Sequence, residues 1–108
     1  MQAWYRQTFG AAEVASANPA AFISAGLPGL TMNFAPAATP VVGTQGRALD
    51  HIGFEVKGLE AFTKQLEARG VKLAVPYRQV PALGIAIAFF TDPWGTYIEL
   101  TEGLDKVN

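Results

Sequence analysis

The sequence predicts an α+β fold built from two related modules, and three observations predict it. Two stretches of helical character, one at the start and one near the middle, each end at a glycine. Each is followed by three strand-like runs set apart by turn residues. Only the second is also preceded by a strand, so the second half reads βαβββ and the first half reads as the same unit without its opening strand. At 108 residues, with half of them hydrophobic and 16% charged, the chain has the size and composition of one packed domain.

The first stretch, MQAWYRQTFG, carries Trp4, Tyr5 and Phe9 as apolar bulk, and Gly10 suits the position just past a helix end. AAEVASA, AAFISA and LTMNFA then read as short strands, parted by Asn18-Pro19 and by GLPG. PAATPVVGTQG has no periodicity and is rich in proline and glycine, as a linker is. The expected organisation is a single domain with module one over about residues 1–36, a linker over about 37–47 and module two over about 48–104.

Module two is the better defined. ALDHIGFEV alternates, with Ile52, Phe54 and Val56 on one face and His51, Gly53 and Glu55 on the other. LEAFTKQLEARG is amphipathic: Leu59, Phe62 and Leu66 recur at helical spacing, Glu60 and Lys64 form an i,i+4 pair, and Gly70 ends it. VKLAVPYRQV is restricted by Pro76 to a bent or edge strand. IAIAFFT and TYIELTE follow, joined by the turn DPWG with Pro93 at its second position. Short loops make each three-strand run an antiparallel meander. Phe54, Phe62, Phe89 and Ile98 are expected in the core, and Trp4 and Trp94 as packing anchors.

Charge and composition exclude several classes of function. The formal net charge is -1 and there is no run of Lys or Arg, which argues against nucleic acid or an anionic membrane as partner. No apolar run is long enough to span a bilayer, and the N-terminus lacks the order of a signal peptide. With no cysteine, disulfides and thiolate ligands are ruled out. A cytoplasmic protein acting on a small molecule is the expectation.

Strand parity then singles out two residues. The large apolar side chains of the Leu49–Val56 strand point to the helix that covers them, which sends His51 to the other face. In the last strand Ile98 and Leu100 take the covered face, which sends Tyr97, Glu99 and Thr101 to the side of His51. If these two strands are neighbours, imidazole and carboxylate meet. Arg78, in the strand after Pro76, is a candidate to meet an anionic group. Asp50 is expected to position the strand start, and Glu55 to sit solvated at the strand end.

LDHIGFEV, LEAFTKQLEARGVKL and IAIAFFTDPWGTYIELTE together resemble the vicinal oxygen chelate superfamily. That superfamily includes glyoxalase I, bleomycin- and fosfomycin-resistance proteins and extradiol dioxygenases. AWYRQTFGA is similar to the helix of the first module in such proteins. The resemblance implies paired βαβββ modules whose curved, antiparallel-rich sheets surround a cleft. It further implies a divalent metal (Ni, Zn, Mn or Fe) held by His51 and Glu99, with Glu99 as the catalytic residue that also moves a proton. Tyr97, Arg78 and Asn33 are the residues expected against the substrate.

The chain departs from that pattern in its first module. The opening strand is absent, and the last strand offers Gly29, Thr31 and Asn33 where the family places a ligand. His51 is the one histidine, so a single chain cannot build a site of two histidines and one carboxylate. A sheet short of one strand leaves an open edge that invites pairing. A homodimer, module-swapped in one version, is therefore expected, and it would bring two His51–Glu99 pairs together. The reading is a metal-dependent lyase, isomerase or dioxygenase acting on a small oxygenated molecule. The alternatives are a metal-free protein that sequesters a small molecule, as bleomycin-resistance proteins do, and an inactive truncated relic.

Overall fold

The computed structural model describes residues 1–107, in two compact units, one over Met1–Pro40 and one beginning at Val41. The first unit holds α1 (Gln2–Phe9), β1 (Ala12–Val14), β2 (Ile23–Leu27) and β3 (Leu30–Phe34), with the strands antiparallel in the order β1-β2-β3. Gly10 ends α1 in the left-handed region at φ 69°, its amide donating to the Arg6 carbonyl at 3.0 Å. Tyr5 is the buried anchor of this helix, its ring stacked on Phe9 at 5.8 Å and tilted on Phe34 at 5.5 Å. β1 is shorter than AAEVASA suggests. Beyond Val14 the chain folds into a turn in which the Asn18 carbonyl accepts from Ala21 and Phe22, and the Ser16 hydroxyl accepts from the Asn18 amide. Ser and Asn offer the backbone these local bonds in place of a ladder.

The second unit holds β4 (His51–Glu55), α2 (Leu59–Ala68), β5 (Leu73–Val80), β6 (Ile85–Thr91) and β7 (Tyr97–Glu102), followed by a 3-10 turn at Leu104–Lys106. Its strand order is β4-β7-β6-β5. β4 runs parallel to β7, and the other pairs are antiparallel. Crossing over through α2 is what sets the first strand beside the last, since a parallel neighbour cannot be reached by a tight turn. β5 is an edge strand whose register shifts on both sides of Val75, the second shift spanning Pro76, which has no N–H to give a ladder. Each of the two units is thus a helix with an antiparallel-rich sheet, as the sequence predicts.

The core of the second unit lies between α2 and one sheet face: Leu59 and Leu66 from the helix, Ala88 and Phe90 from β6, Ile98 and Leu100 from β7. Gly58 precedes α2 at the cap position and has no side chain with which to cap it. Glu102, at the end of β7, supplies one: its carboxylate accepts from the Gly58 amide at 2.7 Å and the Leu59 amide at 3.1 Å. A negative group there also complements the helix dipole. Glu55 does the matching service one strand away, accepting from the Gly103 amide at 2.7 Å.

One core expectation is corrected. Phe89 is half-buried on the opposite face, because the hairpin register sets it across from Glu99. Phe90 and the small residues Ala86 and Ala88 face α2 instead. Phe54 and Phe62 are half-buried, and Ile98 is fully buried as expected. Among the described residues no helix is long and apolar enough to cross a membrane.

Candidate functional site

Parallel pairing puts His51 across from Tyr97 and Gly53 across from Glu99, so His51, Tyr97 and Glu99 share one face of the sheet. The imidazole of His51 reaches diagonally to Glu99, with Nε2 3.1 Å from Oε2. Its other nitrogen, Nδ1, stands 2.9 Å from Oδ2 of Asp50. The side chain of His51 is 41% exposed and that of Glu99 28%, so the pair is open to solvent on one side. Next to it lies an aromatic ledge: Phe89 and Tyr97 stack at 5.3 Å, and His51 meets both edge-on at 5.9 and 6.3 Å.

A carboxylate can only accept, so with Asp50 at Nδ1 and Glu99 at Nε2 the doubly protonated imidazolium satisfies both contacts, each nitrogen donating to one carboxylate. The neutral ring has a single N–H and so leaves one nitrogen facing a carboxylate with a lone pair. A proton or a metal ion meets that need. Without metal, His51 is pushed above its ordinary range, first by the hydrogen bond to Asp50; burial opposes this next, and the negative charges of Glu99 and Asp50 and the hydrogen bond to Glu99 add to the rise. Asp50 is held below the usual carboxylate range, chiefly by the Gly46 amide and next by His51. In a pH titration of the metal-free protein followed by NMR, the single histidine is expected to show a midpoint above about 6.5, the ordinary value. Glu99→Gln should lower that midpoint, since it removes one of the charges that favour the imidazolium.

The same geometry suits two donors on one metal ion. Imidazole nitrogen and carboxylate oxygen bind first-row ions at about 2.0–2.2 Å, and two such donors on adjacent positions stand roughly 3 Å apart. Asp50 on Nδ1 is the outer partner that metal-bound histidines commonly have. Among the described residues, however, no group of three or more His, Cys, Asp or Glu could hold an ion. The residues fit one edge of a coordination shell, and the remaining positions need donors from elsewhere.

The other candidates are more dispersed. Tyr97 is in the site as part of the ledge, and it is buried. Arg78 aligns with Ile87, which aligns with Thr101, so it lies on the same sheet face, exposed and two strands from β7. Asn33 belongs to the first unit, where its Oδ1 accepts from the Ser24 hydroxyl at 2.8 Å. Phe89 is the site residue that sequence reasoning missed. Counting register outward from the DPWG turn, Thr91 to Tyr97 and hence Phe89 to Glu99, would have found it.

A βαβββ sheet whose first and last strands join a histidine to a glutamate defines a protein of the glyoxalase type. The sequence profile of the Glyoxalase/Bleomycin resistance protein/Dioxygenase superfamily matches residues 1–100, and the chain belongs to that superfamily. Comparison with curated proteins gave no match. Among solved structures, one described as a glyoxalase family protein from Bacillus anthracis superposes with a TM-score of 0.74 at 18% identity, over 94% of this chain and 80% of that one. The genomically encoded fosfomycin resistance protein FosX from Listeria monocytogenes gives 0.71 at 23% identity, over 96% and 83%. Lactoylglutathione lyase from Agrobacterium tumefaciens gives 0.67 at 20%, over 94% and 81%. At these identities the likeness shows the fold.

Proposed function

We propose that the protein binds a small oxygenated molecule on the face that carries His51 and Glu99, and that these two residues hold a divalent metal ion there. The observation that carries this reading is the 3.1 Å approach of Nε2 and Oε2 on one sheet face, the spacing of two donors on a single ion. One imidazole and one carboxylate suit Ni, Zn, Mn or Fe. A bound ion would supply Lewis-acid chemistry and open positions for two adjacent oxygens of the molecule. Phe89 and Tyr97 give the apolar wall against which the molecule lies, and exposed Arg78 is the cation on the same face for an anionic group. In the metal-free imidazolium Nε2–H donates to Glu99, the carboxylate assigned here to move a proton in the site. Donors beyond these two come from the bound molecule and from a second copy of the chain, in a homodimer.

Metal analysis after purification without chelators, followed by thermal melts with each of the four ions, tests the proposal. At tenfold excess over Kd a ligand stabilises by about 1.4 kcal/mol. For a domain of this size that corresponds to roughly 5–10 °C in Tm. The wild type should show that rise with at least one ion and His51→Ala should not. A wild type that copurifies with no metal and melts unchanged with all four refutes the metal. Stabilisation by an apolar ligand alone would then mark a metal-free binder.

A further inference from the structure

We infer that Asp50 is the positioning residue for His51, and that the 43–50 loop is a brace tying this histidine to the strand that carries Glu99. The inference rests on His51 and Glu99 being the site. Adjacent residues of a strand point to opposite faces, so an aspartate just before a strand does not ordinarily reach the ring of the next residue. Asp50 does so because it lies outside β4 and is held in place from the loop. Its Oδ1 accepts from the Gly46 amide at 2.5 Å, and its Oδ2 is left for Nδ1 of His51.

The loop in turn is fastened to the start of β7. The Thr44 amide donates to the Gly95 carbonyl at 2.9 Å. The Thr44 hydroxyl donates to the Asp50 carbonyl and accepts from the Tyr97 amide, each at 2.8 Å. Gly43 and Gly95 meet backbone to backbone: a Cβ on Gly95 would stand 2.9 Å from the Gly43 Cα. An unbroken chain of hydrogen bonds therefore runs from Tyr97, two residues from Glu99, through Thr44 and Asp50 to the His51 ring. The ring of His51 and the start of the strand that carries Glu99 are thus tied to one anchor.

An isolated surface pair of this exposure contributes little, because both side chains must be ordered in water. Asp50 differs in that its second oxygen is already fixed by Gly46, so less freedom is lost when it engages His51. The consequence is a defined tautomer: hydrogen on Nδ1, lone pair on Nε2 toward Glu99. Outer partners of this kind typically change metal affinity by about 10–100-fold.

The test compares wild type, Asp50→Asn and Asp50→Ala in two measurements. The first is NMR of the His51 ring without metal, at a pH where the imidazole is neutral; with a single histidine the signals need no assignment. Wild type should hold the Nδ1–H tautomer, Asp50→Ala should lose it, and Asp50→Asn, which keeps an acceptor oxygen, should retain part of it. The second is calorimetric titration with nickel and zinc, where Asp50→Ala should bind about 10-fold or more weakly and Asp50→Asn fall between. An unchanged tautomer in both variants overturns the inference, as does unchanged affinity in both. If wild type binds neither ion, the metal reading fails alone, and the tautomer still decides the role of Asp50. Should Asp50→Ala not fold, Asp50→Asn decides by the same two readouts.

Discussion

Phe90→Ala is expected to cost the second unit about 3–5 kcal/mol, most of what holds a domain of this size together. Phe90 is fully buried and is the largest of the side chains so placed. It sits mid-sheet on β6, aligned with Ile98 of β7 on one side and Leu73 of β5 on the other. Its neighbours on the same strand face, Ala86 and Ala88, have no reach with which to fill the space it would vacate. The cavity should therefore persist and the cost fall toward the upper end, since cavity size sets the spread among such substitutions. Chemical denaturation should show a lower midpoint with an unchanged slope. Phe89→Ala is the internal control: the same deletion one residue away removes a half-buried ring from the site face and should cost clearly less. Equal losses at both positions would mean that the two faces of the sheet are packed alike.

The contrast between these two phenylalanines shows where the sequence was legible. IAIAFFT reads as a buried strand, but periodicity alone cannot say which of two alternating sets faces the helix when one set is two isoleucines and a phenylalanine. The alanines face α2, since small residues let helix and sheet approach, and that is a property of packing between elements. His51 and Glu99 were legible because each lies in a strand whose apolar partners leave no ambiguity: Ile52 and Phe54 for one, Ile98 and Leu100 for the other. Their contact needed only the parallel pairing of β4 and β7, which the βαβββ order makes natural. Thr44 and Gly46 were illegible. They sit in a stretch without periodicity, and their role is visible only once the loop is seen folded back on Gly95 and Tyr97. Asn33 was reached through family resemblance alone, and its hydrogen bond is to Ser24 on the adjacent strand of its own unit.

Asp92→Ala is expected to cost about 2–4 kcal/mol, because a single carboxylate oxygen satisfies two backbone amides and each orphaned donor costs about 1–3 kcal/mol. Oδ1 of this buried residue accepts from the Trp94 amide at 2.9 Å and the Thr96 amide at 2.8 Å. The turn it organises is closed further by the Asp92 amide donating to the Thr96 carbonyl and by the Gly95 amide donating to Asp92. Gly95 itself sits at φ 92°, a conformation that side chains resist. Everything downstream depends on that turn: it aligns Thr91 with Tyr97 and so brings Phe89 across from Glu99. Asp92→Asn keeps one acceptor oxygen and should lose much less, which separates the hydrogen bonds from the bulk of the side chain. The substitution also reaches the site, since the Gly95 carbonyl and the Tyr97 amide are where the 43–50 loop is fastened. Asp92→Ala should therefore weaken metal-induced stabilisation as well as lower Tm, whereas Phe90→Ala should lower Tm while leaving the metal-induced increment nearly whole. If Asp92→Ala keeps the full increment, the register of β6 and β7 is held by strand packing, and the turn only follows it.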